Sequence, residues 1–421
     1  MTTTSQIRDP IHGVIYLNSQ ERAVIESHAF QRLRGIKQLG FADFAFPGAT
    51  HTRFAHSLGA MNFAGKMFDR IMAKSTINQT SLSLFRQVVR LAALLHDVGH
   101  PPLSHTTEML MPLKTPSQTS KKNERVKHED YSLSIILNSS LTECIKKNFG
   151  SDMAIMVAAL LAKDSQNNFF AVANIDYSPL LRQIISSEID CDRMDYLLRD
   201  SFYCGVNYGK FDSDWLVENL LYIIDHKKAY LAIKARALFA FEDFLLSRYH
   251  MFLSVYLHHT PVIMEKMLAH FFSECPKEFI LPSDIENYLA IDDVDLWWAL
   301  RHSKNSWAQR IVQKKPYVLL IEQVLSSSKI PPPNQPQIIE QALTKAGIEV
   351  ISTHSKSSIS HYFNTSKSML FVQEPRKDPI KLEKFSSLFI RYQVPTQIDR
   401  IFVDPHYVLE AQQIVDKLQR A

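Results

Sequence analysis

The chain has 421 residues, 46% of them apolar and 21% charged, with 17 histidines, 4 cysteines and a formal net charge of +4. That length suits one large domain plus a smaller one, and the composition excludes a disordered or collagen-like chain. No apolar run of 18 residues reads as a membrane span, the first residues lack a signal-peptide pattern, and Cys144, Cys191, Cys204 and Cys275 lack CxxC spacing, so a cytoplasmic protein with reduced thiols is expected.

In chain order, apolar positions at three- and four-residue spacing predict amphipathic helices over 19–39, 53–73 and 82–97. The last contains VVRLAALLHD, apolar enough to predict a central buried helix, which Pro101 and Pro102 stop. Residues 114–127 are polar and aperiodic, predicting a mobile loop, either a surface insertion or a lid. Further helices are expected over 151–163, 177–200, 212–223 and 234–271. A Pro-rich turn or linker at 329–337 precedes strand-like runs at 348–352, 369–373, 388–394 and 400–404, then an amphipathic helix over 407–418. The expected fold is mainly α, with a multi-helical domain over 1–328 and a smaller α+β lobe over 329–421.

Three segments carry residues suited to chemistry. HDVGHPPLSHTTE (96–108) gathers His96, Asp97, His100, His105 and Glu108 around a Pro-rich bend that can aim several side chains at one point. In THTRFAHS (50–57), Arg53 and His56 share a helical face, a cation beside a metal ligand as an anionic phosphate would require. In SEIDCDRMDYLLRD (187–200), Asp192, Tyr196 and Asp200 share another face, while Asp195 and Arg199 read as a surface i,i+4 pair. Singly, each segment also reads as a capped helix end, a satisfied histidine or a solvated acidic helix. Together, two histidines and two aspartates suit a hard or borderline divalent ion and leave positions open for catalysis. His105 with Glu108, and His128 beyond the loop, are candidates for proton transfer.

The ordered set H…HD…D, with DPIHG (9–13), FQRLRGIKQLG (30–40), FPGATHTRFAHS (46–57), LLHDVGHPPLSH (94–105) and DCDRMDYLLRD (190–200), resembles the HD-domain phosphohydrolases, in particular their deoxynucleoside triphosphate triphosphohydrolase branch. The resemblance covers residues 5–270 well and the C-terminal lobe more loosely. It implies a multi-helical HD-domain core with a smaller α+β C-terminal lobe, oligomers such as dimers or tetramers, and hydrolysis of a dNTP to deoxynucleoside and inorganic triphosphate. It implies that His56, His96, Asp97 and Asp192 bind the metal (Mn, Fe, Zn, Mg or Co) and that His105, Glu108 and His128 are catalytic. Substrate contacts would come from Gln38, Leu39, Arg53, Arg193, Tyr196, Asp200, Arg248 and Tyr256. Phe252 stands where the family has a phosphate-contacting histidine. A regulatory nucleotide site is implied at Gln31 and Arg34, with Glu26 in place of an aspartate, Ser5 in place of a lysine, and Arg8 nearby.

The leading expectation is therefore a dNTP triphosphohydrolase, open to nucleotide regulation and serving nucleotide-pool control or phage defence. Phe252 keeps open a nucleotide monophosphatase or signalling-nucleotide hydrolase. The mild basicity keeps open a nucleotide-sensing or nucleic-acid-binding protein with residual catalysis.

Overall fold

The computed structural model describes residues 5–114, 125–162, 168–325, 335–357, 370–382, 385 and 396–420. The strand expected at 388–394, residues 115–124 of the expected loop and residues 329–334 of the Pro-rich stretch lie outside them. The fold is mainly α, with small sheets and an α+β C-terminal part.

A hairpin of β1 (Ser5–Asp9) and β2 (Gly13–Leu17) leads into α1 (Ser19–Ile25), which opens on an Asn18–Glu21 capping box. Helix α2 (His28–Gln31) has its own cap, the Ser27 hydroxyl accepting from Phe30 N. That cap is why one helix over 19–39 does not form: the chain stops at Glu26, restarts, and tightens into a 3-10 turn at Arg32–Gly35.

The centre consists of α3 (Arg53–Met72) and α4 (Gln79–Leu95), packed together. Helix α4 is buried from Val88 to Leu95, as its apolar run predicts. Each fully buried Val or Leu there contributes about 1.5–3 kcal/mol, which anchors His96 at the helix end. Arg90 is tolerated in this run because its guanidinium pairs with buried Glu21 at 2.6 and 2.9 Å.

Helices α5 (His128–Asn138), α6 (Ser140–Phe149) and α7 (Met153–Leu161) follow, then short strands β3 (Ala171–Val172) and β4 (Ile175–Asp176). The expected helix over 177–200 is two helices, α8 (Ser178–Ile185) and α9 (Cys191–Cys204). Asp190 caps α9 and also accepts from Ser187 N at 2.8 Å, which holds the intervening residues out of helical geometry. Helix α9 packs on α3, where Gly59 permits the approach: a Cβ there would overlap the carboxylate of Asp195.

The expected helix over 212–223 divides into α10 (Ser213–Glu218) and strand β5 (Leu220–Asp225). Strand β6 (Lys228–Lys234) pairs with β5 along its length. The helix expected over 234–271 is α11 (Leu238–Met251), a π-helical turn at Phe252–Tyr256, and α12 (His259–Glu274). Helices α13 (Ile285–Leu289), α14 (Asp293–His302) and α15 (Ser306–Val312) complete this part.

The remaining elements are β7 (Val318–Leu325), α16 (Gln335–Lys345), β8 (Val350–Ser357), β9 (Phe371–Gln373), β10 (Ile380–Lys381), β11 (Thr396–Val403) and α17 (Val408–Arg420). An antiparallel sheet in the order β7-β11-β8 carries α16 and α17 over a core of Ile339, Leu343, Ile401, Val403 and Val415. This sheet recruits β7, ahead of the composition change at 329, while β9 returns to pair in parallel with β6. Among the described residues, no helix is long and apolar enough to cross a membrane.

Candidate metal centre and cavity

Three helix ends converge where α3, α4 and α9 meet. His56 lies in the first turn of α3, His96 is the C-cap of α4, and Asp192 lies in the first turn of α9. Asp192 Oδ1 is 3.1 Å from His56 Nε2 and 3.5 Å from His96 Nε2. One ligand atom from each of His56, His96 and Asp192 falls within 4.8 Å of the others. Asp97 adjoins them, with Oδ1 3.3 Å from His96 Nε2 and Oδ2 3.6 Å from His56 Nε2. Its Oδ2 also pairs closely with Arg53 Nη1, and Arg53 Nε donates to Ser104 Oγ at 2.7 Å.

The outer nitrogens fix both imidazoles. His56 Nδ1 donates to Asp195 Oδ2 at 2.8 Å, and His96 Nδ1 donates to Ala93 O at 2.8 Å. Both Nε2 atoms are thereby left as lone-pair donors, and both are buried without a hydrogen-bond partner. Orphaned imidazole nitrogens facing two carboxylates fit a divalent cation. Burial works against a charged His56, yet the carboxylates of Asp192 and Asp195 push it up to about 10. Excess negative charge thus draws a proton to a nitrogen that a cation would otherwise occupy.

Asp195 and Arg199 are not the surface pair expected from their spacing, since neither side chain is exposed. Arg199 grips Asp195 through Nε at 2.8 Å and Nη2 at 2.9 Å, and reaches Asp9 Oδ2 through Nη1 at 2.8 Å. His12 Nε2 donates to Asp195 Oδ1 at 2.7 Å. Burial alone would raise the Asp195 pKa, but Arg199, His12 and His56 hold it well below the usual carboxylate range. Asp9 in turn accepts from the amides of Ile11 and His12. The motif DPIHG is therefore a support for His56.

The centre opens into a cavity of about 700 Å³. His105 and His128 line one wall, and Glu108, which is not a lining residue, pairs closely with His128 Nδ1 and lies 3.4 Å from His105 Nδ1. Burial opposes charge on Glu108, but the two histidines hold its carboxyl well below the ordinary range. The side chain of His105 is 67% exposed, so this member meets solvent. Gly99 lets α5 approach, because a Cβ would overlap His128 O and Ser132 N. His100, given no role from sequence, stacks on His128 with ring centroids 3.8 Å apart and faces Asp97 Oδ1 at 3.3 Å. Burial and Arg53 depress its pKa well below the usual value, so it is a neutral imidazole.

Gln38, Leu39, Tyr196, Asp200, Phe252 and Tyr256 line the same cavity. Asp200 accepts from His51 Nε2 at 2.7 Å and from the Tyr256 hydroxyl at 2.8 Å. Burial and Asp200 push that phenol well above its usual pKa. Tyr196 and Tyr256 meet edge to face at 6.1 Å, and Phe252 packs on Tyr256 at 5.0 Å. Gln38 presents a buried Oε1 with no partner.

Arg193 and Arg248 are not among the lining residues. Arg193 donates to Ser187 O at 2.5 Å and pairs closely with Asp190, while Arg248 packs behind Phe252, 5.4 Å from its ring centre. Arg182 of α8 lines the cavity instead, propped on Ala159 O at 3.0 Å. No sequence signal distinguished it from any arginine on an amphipathic helix.

Of the expected regulatory quartet, Gln31 accepts from Arg34 Nε at 2.8 Å, and Arg34 lies 3.6 Å over the Phe54 ring. Glu26 pairs with Arg22 at 2.6 Å, and Arg8 is exposed on β1. No hydrogen bond or ion pair among the described residues joins Arg8 or Glu26 to the other two.

Comparison with known proteins finds the HD domain over residues 53–200 and the HD associated region over residues 211–318. An uncharacterised protein of Methanocaldococcus jannaschii is 33% identical over 75% of this chain and 59% of its own length. A deoxynucleoside triphosphate triphosphohydrolase SAMHD1 homolog of Dictyostelium discoideum is 31% identical over 66% of this chain and 53% of its own. The chain thus spans under two thirds of either relative. A crystal structure of a hypothetical protein from Aquifex aeolicus superposes with a TM-score of 0.78 at 27% identity, covering 98% of this chain and 100% of that one.

Proposed function

We propose that this chain, which belongs to the HD-domain phosphohydrolase superfamily and resembles its dNTPase branch, hydrolyses deoxynucleoside triphosphates to the deoxynucleoside and inorganic triphosphate. The observation that carries the reading is the pair of buried, unpartnered Nε2 atoms of His56 and His96 facing Asp192 and Asp97. These four residues would hold the metal, whose identity the donor set leaves among Mn, Fe, Zn, Mg and Co. When bound, such an ion polarises a phosphoryl oxygen and makes water more acidic.

The chain's own groups supply the rest. Arg53 and Arg182 would meet phosphate oxygens, as guanidinium forks do well. His105, solvent-facing and paired with Glu108, would hand a proton to the departing 5′-oxygen while a water oxygen bonds to the α-phosphorus. His128 would orient Glu108 from the far side. The 3′-hydroxyl would donate to the unpartnered Gln38 Oε1, beside the Asp200–Tyr256 pair. The tight Tyr196–Tyr256 wall would exclude a 2′-hydroxyl.

One observation favours a second reading. Phe252 lines the cavity where a cationic phosphate contact would otherwise stand, and Arg193 is held by Asp190. A monophosphate or signalling-nucleotide hydrolase would tolerate that loss. Incubation with each dNTP and dNMP separates the two: triphosphate release supports the first reading, and dNMP turnover without dNTP turnover supports the second. Adding each other nucleotide to the same assay tests regulation, and sedimentation tests the expected homo-oligomer.

A further inference from the structure

Two cavity-lining segments far apart in sequence meet beside Arg53. One is Gln38, Leu39 and Gly40; the other is Leu103, Ser104 and His105. Leu103 and Ser104 have φ of 53° and 60°, left-handed conformations that residues with a Cβ rarely adopt. Something outside the segment must hold them.

Asp293, in the first turn of α14, does this. Its Oδ1 accepts from Leu103 N at 2.6 Å and its Oδ2 accepts from Lys37 N at 3.0 Å. The residue is 6% exposed and does not line the cavity. The two tied segments are stitched again by Ser104 Oγ, which donates to Lys37 O at 2.6 Å and accepts from Arg53 Nε at 2.7 Å. Arg53 then pairs with Asp97. A single carboxylate thus sets the backbone immediately before Gln38 and immediately before Ser104 and His105.

Helix stability does not account for this carboxylate. The N-terminus of α14 is already closed by a capping box between Asp292 and Asp295. Asp293 turns both oxygens away from its own helix, onto two loops.

We propose that Asp293, in the HD associated region, is a positioning residue that clamps the Lys37–Gly40 and Leu103–His105 segments into register with Arg53 without touching substrate. The consequence for activity rests on the function proposed above; the clamp itself does not.

The test compares D293N and D293A with D295A, which weakens the helix cap but leaves the clamp alone. Hydrogen–deuterium exchange followed by mass spectrometry should show peptides spanning 33–41 and 99–108 exchanging about tenfold faster in D293A, and unchanged in D295A. Metal content should stay at the wild-type level in all three. With dNTP, D293A should lose about 10- to 100-fold in kcat/KM through a higher KM and a lower kcat, as expected for loss of hydrogen bonds to a charged group. D293N, isosteric and keeping one acceptor oxygen, should fall between, and it carries the comparison should D293A not fold. Unchanged exchange in both peptides, or equal losses in D293A and D295A, would overturn the clamp. A wild-type protein inactive on every dNTP would overturn the proposed reaction, and the two peptides would still decide the clamp.

Discussion

Asp195 Oδ2 lies 2.8 Å from His56 Nδ1, and Asp195 has no exposed side-chain surface. That contact fixes the His56 tautomer, raises the basicity of its Nε2, and joins the candidate metal centre to Arg199, His12 and Asp9. The first prediction follows from it. Asp195→Asn removes the carboxylate charge at constant size. Metal affinity should fall about 10- to 100-fold, read by metal titration of the metal-free protein. Stability should fall too, by about 3–5 kcal/mol, because Arg199 keeps only one strong partner in a buried site. Wild-type metal affinity in a folded variant would remove Asp195 from the support of the centre.

Gly59 gives the second. Asp195 and Arg199 occupy the space where a side chain on Gly59 would sit. Gly59→Ala should cost about 1–3 kcal/mol, seen as a lowered melting temperature, and should reduce metal content as α9 moves off α3. An alanine variant with wild-type stability and metal content would mean that α9 can shift freely.

These two residues also mark the limit of what the sequence discloses. His56, His96, Asp97 and Asp192 were singled out through the resemblance carried by the ordered H…HD…D set, and the structure brings the four side chains together. Asp195 and Arg199 were misread because an acid and a base four residues apart look alike on a wet helix and a dry one. Their burial depends on α3, 136 residues away at Gly59 if counted to Asp195, and no local pattern reports it. Arg182 was overlooked for the same reason, since packing and not spacing brings it to the cavity, whereas His100 was seen in its cluster but given no role. The buried helix α4 was legible from its continuous apolar run. Strand β5 was not, because LLYIID following SDWLVEN fits a helix as well as a strand until β6 is there to pair with it. The break before α9 turned on one cap, Asp190, hidden among several acids.

The third prediction concerns pH. Glu265 lines the cavity, where burial pushes its carboxyl up to about 7 against a hydrogen bond from Thr106. A raised folded-state pKa means the folded form binds the extra proton. Its contribution is fully present below the ordinary glutamate value, about 4.3, and is lost as pH rises through 7. Glu265→Gln should remove that dependence. Its melting temperature should exceed the wild type by about 2–4 °C at pH 8.5 and match it at pH 4.5. A difference independent of pH would contradict the raised pKa.

The fourth concerns the sugar. Tyr256→Ala opens the wall against Tyr196 and removes the hydroxyl bond to Asp200. Preference for dNTP over NTP should fall about tenfold or more, because a 2′-hydroxyl then fits. Competition between dGTP and GTP in one reaction measures this directly. An unchanged ratio would place the sugar elsewhere in the cavity.

The proposed metal-dependent reaction cuts a dNTP between the 5′-oxygen and the α-phosphorus. Metal-loaded protein should be incubated with each of the four dNTPs and the products resolved by ion-exchange chromatography. Equimolar deoxynucleoside and inorganic triphosphate are expected, abolished by a chelator and absent in Asp192→Ala. Release of orthophosphate or pyrophosphate alone, or full turnover by Asp192→Ala, would contradict it.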